Sequence, residues 1–135
     1  MSLRTPPCEL LGIELPIVQA PISYAPGLVA AVSSAGGLGL IQLSWLDLDR
    51  AREVIRETRR RTEEPFGVNL VLEWPQEERP ELALEEGVRI ASIFWGDPAP
   101  YVGPVHEAGG LVLCTVGSAA EARRVVAVGV DVVVA

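Results

Sequence analysis

The sequence predicts an α/β protein in which parallel strands alternate with helices, and three observations agree on this. Short apolar runs alternate with amphipathic stretches along all 135 residues. A glycine separates four of the five predicted helices from the following strand, at Gly36–Gly37, Gly87, Gly109–Gly110 and Gly129. The apolar runs contain few polar residues, as expected for strands of a parallel sheet that is covered on both faces. Helices then serve as the crossovers between neighbouring strands.

The first strand is predicted at Pro16–Ile22, a short apolar run bounded by two prolines. Proline is excluded from central strands, so Pro16 and Pro21 set where this strand begins and ends. Gln19 then lies near the carboxyl end of the strand. Because ligands of α/β proteins bind at the carboxyl ends of strands, this stretch is the first candidate for a site.

The remaining elements follow in order from their end signals. Pro26 suits the first turn of a helix, Asp47 or Asp49 can cap the next one, and Ser118 with Glu121 forms a capping-box pattern. Predicted helices cover about 26–35, a long stretch from the Asp47 or Asp49 cap to before Pro65, 77–86, a short stretch ending at 108, and 118–129. Predicted strands cover 16–22, 38–43, 66–72, 88–95, 111–116 and 130–135. Six strands and five helices suit either a doubly wound open sheet or the first part of an eight-stranded barrel, which takes roughly 250 residues in full. Periodicity alone leaves both open.

Composition excludes several classes of protein. The net charge of −7 is wrong for a nucleic-acid surface, and no apolar run approaches the ~20 residues of a membrane span. The N-terminus lacks the apolar core of a signal peptide, so we expect a cytoplasmic protein. Cys8 and Cys114 match neither a disulfide framework nor a metal-ligand spacing, and we expect no metal.

Polar side chains mark the ends of several predicted strands. They are Gln19, Gln42 with Ser44, Asn69, Trp95 beside Asp97, and Thr115. Asn69 is the only asparagine in the chain and lies inside an apolar strand, where an unpaired amide costs about 1–3 kcal/mol. It is interpreted either as bonded to a neighbouring strand end or water, or as a ligand contact at the mouth of the sheet.

Two features that suggest chemistry have simpler interpretations. Gly36–Gly39 precedes a strand, whereas a dinucleotide fingerprint follows one, so these glycines indicate a helix cap and close packing. His106, the only histidine, falls in a helix before a strand, on the wrong side of the sheet for catalysis. We therefore name no catalytic residue in the chain.

Several segments together resemble the nitronate monooxygenases, formerly called 2-nitropropane dioxygenases. The segments are LGIELPIVQAPI at 11–22, VSSAGGLG at 32–39, PFGVNL at 65–70, EAGG at 107–110, CTVGS at 114–118 and GVDVVVA at 129–135. They span nearly the whole chain in the family's order. FMN-dependent enoyl reductases and IMP dehydrogenase share parts of this pattern.

The resemblance implies that residues 1–135 are the N-terminal part of an FMN-binding (β/α)8 barrel, a TIM barrel. It also implies that the flavin ring contacts Gln19, Ala20, Pro21 and Ile22 after the first strand and Asn69 of the Gly-Val-Asn motif. The family usually has methionine at the position of Ile22. The implied enzyme is a flavoprotein monooxygenase that oxidises alkyl nitronates with oxygen to a carbonyl compound and nitrite.

The family's catalytic histidine follows the sixth strand, in a Glu-Ala-Gly-Gly-His segment that lies beyond residue 135, as do the loops that hold the cofactor phosphate. We therefore expect this chain alone to be inactive, and its partners to be the remaining half of the barrel or a second copy. Two alternatives remain: an FMN-dependent enoyl or NAD(P)H:quinone reductase with the same barrel, and a non-enzymatic α/β binding module.

Overall fold

The computed structural model describes residues 4–76 and 78–135. Its helices are α1 (Pro6–Leu11), α2 (Pro26–Ser34), α3 (Leu48–Arg61), α4 (Arg79–Glu85), α5 (Ala99–Glu107) and α6 (Ala119–Ala127). Its strands are β1 (Gly39–Gln42), β2 (Phe66–Val71), β3 (Ile90–Phe94), β4 (Leu111–Thr115) and β5 (Val132–Val134). Most predicted elements are confirmed with slightly shorter bounds. Glu77, where the predicted acidic helix begins, lies outside the described residues.

The strands form one parallel sheet in the sequential order β1-β2-β3-β4-β5. A doubly wound sheet reverses its strand order at a switch point, and these strands show no reversal. Each unit is added on the same side of the one before it, as in a (β/α) barrel. The fold is therefore an incomplete barrel, and the doubly wound alternative does not describe it.

The prediction that Pro16–Ile22 forms a buried strand is wrong. Pro16–Ile22 pairs through a single bridge, in which the Gln19 N–H donates to Leu38 O and the Leu38 N–H donates to Ile17 O, both at 2.9 Å. Ile17 and Ile22 are 57% and 83% exposed. The segment is extended beside β1, but within the described residues nothing covers its other side, and its prolines donate no ladder bonds.

Helix α1 was not predicted from the sequence. It begins at Pro6–Pro7 and ends at Gly12, whose φ of 70° permits the left-handed cap. Its buried Cys8 and Leu11 pack against interior residues of the strands, among them Leu40, Ile90 and Leu113. The helix thus closes the amino end of the incomplete barrel, which leaves the carboxyl end as the open one.

The cap of α3 is Asp47 and not Asp49, because the Asp47 carboxylate accepts a hydrogen bond from the Arg50 N–H at 2.8 Å. We expect Asp47→Ala to lower the free energy of unfolding by about 1 kcal/mol, since one helix donor loses its partner. Asp49→Ala is the matched control, because it also removes a carboxylate from the first turn but no cap. Urea unfolding of both variants gives the measurement, and equal losses would contradict the assignment of the cap.

The helices of the described residues end well short of a membrane span. The longest is α3 with 14 residues, and it carries charged side chains along its length. No helix in the described ranges is long and apolar enough to cross a bilayer.

Candidate functional site

A row of three polar side chains crosses the interior face of the sheet. Gln42, Asn69 and Ser92 are register partners on β1, β2 and β3, and they are 3%, 2% and 5% exposed. Residues two apart on a strand share a face, so Val71 and Phe94 stand one step further toward the carboxyl end. The polar row therefore lies just below the open end of the barrel.

Hydrogen bonds fix this row. Ser92 Oγ donates to Asn69 Oδ1 at 2.9 Å, which orients the amide and leaves its Nδ2 as the group that can donate to a ligand. Gln42 Nε2 donates to the Pro21 carbonyl at 3.2 Å, while its Oε1 accepts from the Ser44 N–H at 3.1 Å. Gln42 thus ties the segment after Gln19 to the sheet.

A cavity of about 460 Å³ lies at the carboxyl end of β1, β2 and β3, above the polar row. Gln42 and Asn69 line its floor, and Pro21, Ile22 and Val71 line its sides. None of its lining residues within the described ranges is charged. A mostly apolar cavity with a few converging polar groups is the usual form of a small-molecule site.

The mouth of the cavity is formed by Trp45, Trp74 and Trp95, which we call the aromatic rim. These are all three tryptophans of the chain, and each follows the end of a strand by one to three residues. Trp45 and Trp74 meet edge to face, with ring centroids 6.2 Å apart, and Trp95 stacks on Phe94 at 4.4 Å. Each rim side chain is 44–59% exposed, so their faces are open to a ligand.

Trp95 has a φ of 56°, in the left-handed region. A bulky side chain rarely adopts this conformation, which costs on the order of 1–3 kcal/mol and is concentrated at functional sites. The backbone therefore tolerates strain at the point where it presents Trp95 to the cavity.

Two side chains hold the loops that carry Trp45 and Trp74. Arg79 donates from Nε to Leu46 O at 2.8 Å and from Nη1 to Gln76 O at 3.2 Å, which joins the two loops. Gln76 Nε2 in turn donates to the carbonyls of Val71 and Trp74, at 2.7 and 2.8 Å. These hydrogen bonds fix the two loops that carry Trp45 and Trp74.

The five residues implied by the resemblance are only partly brought together. Pro21, Ile22 and Asn69 line the cavity, whereas Gln19 and Ala20 are not among its lining residues. Gln19 Nε2 donates to Leu40 O at 3.3 Å, and its Oε1 is buried without a partner among the described residues. Their contacts with flavin stay predictions.

Gln42 is a predicted strand-end amide that was not expected in the site, and Trp45 and Trp74 were not predicted from the sequence. A repeated signal was present, because Leu43-Ser-Trp45 and Leu72-Glu-Trp74 each begin directly after a strand. Recognising them would have required knowing that neighbouring parallel strands bring these repeats to one edge.

The other reactive groups lie away from the cavity. His106 Nε2 is 2.8 Å from Asp131 Oδ2, which also accepts from the Val112 N–H near the amino end of β4. Cys114 is buried between the sheet and helices, and burial raises the pKa of its thiol. No cluster of His, Cys, Asp and Glu within residues 4–76 and 78–135 has the makings of a metal site.

Comparison with known proteins gives a family and two groups of relatives. The sequence model of the nitronate monooxygenase family matches residues 4–83. A (3aS,4S,5R,7aS)-5-hydroxy-7a-methyl-1-oxo-octahydro-1H-indene-4-carboxyl-CoA dehydrogenase of Mycobacterium tuberculosis is 38% identical over 99% of this chain and 39% of its own length. A nitronate monooxygenase of Paraburkholderia phytofirmans is 34% identical over 93% of this chain and 46% of its own length.

Solved structures agree with the fold. FabK from Thermotoga maritima has a TM-score of 0.92 and 38% identity, over 98% of this chain and 43% of its own. A nitroalkane oxidase from Streptomyces ansochromogenes has a TM-score of 0.87 and 27% identity, over 97% of this chain and 48% of its own. The chain thus spans less than half the length of these relatives, as predicted for the N-terminal portion of a barrel. By its sequence and its fold, the chain belongs to the nitronate monooxygenase family.

Proposed function

We propose that this chain is the N-terminal portion of a cytoplasmic, FMN-dependent oxidoreductase and that its cavity forms one side of the flavin site. The observation that carries the proposal is the buried Asn69 amide, which Ser92 orients at the floor of an apolar cavity. Membership of the family supports the same cofactor.

The residues of the cavity fit a flavin. Its ring system is flat and aromatic and has an edge of amide-like donors and acceptors, which matches an apolar cavity with an amide floor. Asn69 Nδ2 and the backbone from Gln19 to Ile22 would hold that ring, and Gln42 keeps the Pro21 carbonyl in place at 3.2 Å. FMN, when bound, would supply the redox chemistry that links the substrate to oxygen.

The reaction we propose for the complete enzyme is oxidation of an alkyl nitronate by oxygen to a carbonyl compound and nitrite. It is supported by the family and by the nitronate monooxygenase and nitroalkane oxidase among the relatives. The residues of this chain would bind and orient the flavin, and Pro21, Ile22 and Val71 would give its ring an apolar surface. By the resemblance, the histidine that moves the proton belongs to the second half of the barrel.

A second candidate is an oxidoreductase of the same barrel that acts on a CoA thioester or takes electrons from NAD(P)H. It is favoured by the similarity to the CoA dehydrogenase, which is 38% identical over 99% of this chain. A polypeptide with all eight barrel units separates the two. Nitronate-dependent oxygen uptake supports the first, and NAD(P)H oxidation that needs no nitronate supports the second.

The 135-residue chain should bind FMN weakly and quench its own tryptophan fluorescence on doing so. Every tryptophan of the chain lies in the aromatic rim, so the whole emission reports on this cavity. We expect saturable quenching by FMN, loss of the flavin during gel filtration, and no turnover of nitronate.

Adenosine monophosphate, which carries a phosphate but no flavin ring, is the control for this titration. An absence of saturable quenching by FMN contradicts the flavin site. Flavin absorbance that stays with the chain through gel filtration contradicts weak binding. Quenching by adenosine monophosphate as strong as that by FMN would show that the cavity does not recognise the flavin ring and would favour the non-enzymatic binding module.

A further inference from the structure

We propose that the aromatic rim selects the substrate, and that it takes a substrate carrying an uncharged ring in preference to a short-chain alkyl substrate. The inference rests on the proposed function, because it assigns the floor of the same cavity to the flavin. It adds the class of substrate and the residues that choose it.

The cavity is divided by depth. Its hydrogen-bonding side chains, Gln42 and Asn69, are almost fully buried at the floor, whereas the rim side chains stay about half exposed. A cofactor with a polar edge uses the floor. The rim is then the part of the cavity that is left to bind the substrate.

The rim side chains are held in place by specific contacts and are not a chance group of exposed residues. Arg79 and Gln76 fix the loops of Trp45 and Trp74 through four hydrogen bonds to backbone carbonyls. Trp95 is held at a φ of 56° and supported by its stack on Phe94. The segments after β1, β2 and β3 thus each place one tryptophan at the same opening.

The chemistry of the rim favours a neutral ring. Aromatic faces bind other rings in offset or edge-to-face geometry, beyond the effect of buried area alone. The residues lining the cavity in the described part of the chain carry no charge that would hold an anionic tail. A ring should therefore raise the affinity about 10-fold over a short alkyl chain with the same head group.

Two nitronates test this, those of phenylnitromethane and of nitroethane, which share the reacting group and differ in the ring. The three indole N–H signals in a ¹H–¹⁵N NMR spectrum of the 135-residue chain report only on the rim. We expect the phenyl compound to shift these signals with a Kd about 10-fold lower than that of the ethyl compound. Equal dissociation constants, or no shift with either probe, overturn the proposal.

Trp95→Gly is the decisive variant, because it removes the ring and places glycine where φ is positive, which relieves the backbone strain while losing the stack on Phe94. We expect the preference for the phenyl compound to fall severalfold. Val126→Ala, which trims an exposed apolar side chain on α6, is the control and should keep the preference. A preference that survives both Trp95→Gly and Trp74→Leu overturns the proposal.

Addition of FMN separates this inference from the proposed function. The phenyl compound should stay bound when FMN is added, and competitive displacement would overturn the division of the cavity. A chain that never binds FMN contradicts the proposed function, while the two nitronates still decide whether the rim prefers a ring.

Discussion

Gly39→Ala should destabilise the fold more than any other glycine-to-alanine substitution in this chain. A Cβ at Gly39 would lie 2.3 Å from the Val29 carbonyl oxygen and 2.9 Å from Ser33 Oγ. The carbonyl belongs to the backbone of α2, which packs on β1 and cannot turn aside as a side chain would. We expect a loss of about 3 kcal/mol, at the upper end for overpacking and a large part of a typical domain's stability. Urea unfolding followed by circular dichroism measures it.

Gly103→Ala is the matched control for this substitution. Gly103 lies inside α5, and an added Cβ there meets nothing within 4 Å. Alanine is the better helix former by about 0.5–1 kcal/mol, so this variant should be as stable as the parent or more stable. A Gly39→Ala chain that unfolds at the same urea concentration as Gly103→Ala would contradict the close approach of α2 to β1.

The alternation of helices and strands was predictable because each element carries a local signal. Asp47, Ser118 and the left-handed glycines at 36 and 87 mark ends that the structure confirms within a few residues. The interpretation of Gly36–Gly39 as a cap and a close contact is also confirmed. These features depend on residues that are neighbours in the sequence, and they could therefore be predicted from the sequence alone.

The error at Pro16–Ile22 has a different cause. An apolar run predicts burial only if something covers it, and the cover for Ile17 and Ile22 is not supplied by the described residues. Helix α1 was missed because it has only 6 residues, too few for a periodic apolar face. Its only signals are those at its ends, Pro6–Pro7 and Gly12, and a prediction of this helix would have had to rest on them.

The site shows the same limit. Asn69 is a polar residue in an apolar strand, and the structure contains features that agree with both interpretations of it. Its bond to Ser92 is the link to a neighbouring strand, and its position at the cavity floor allows the ligand contact. The rim could not be predicted with equal ease, since its tryptophans come together only through the order of the sheet.

Asn69→Leu should lower the affinity for FMN by at least about 10-fold, which corresponds to roughly 1.4 kcal/mol. Leucine has a similar shape but offers no N–H to the polar edge of the ring. The same change leaves Ser92 Oγ without its acceptor at 2.9 Å, so the fold should also lose about 1–3 kcal/mol. Quenching of the rim tryptophans by FMN and urea unfolding measure the two effects on the same sample.

Ser92→Ala and the double variant Asn69→Leu/Ser92→Ala separate those two effects. Ser92→Ala leaves Asn69 Oδ1 unpaired and no longer orients the amide, so stability should fall and FMN binding should weaken less than in Asn69→Leu, because the donor of Asn69 remains. The double variant removes both partners of a buried hydrogen bond, which is nearly neutral for folding. It should therefore regain stability but not FMN affinity. If affinity returned together with stability, Asn69 would be a residue that holds the strands and not one that touches the cofactor.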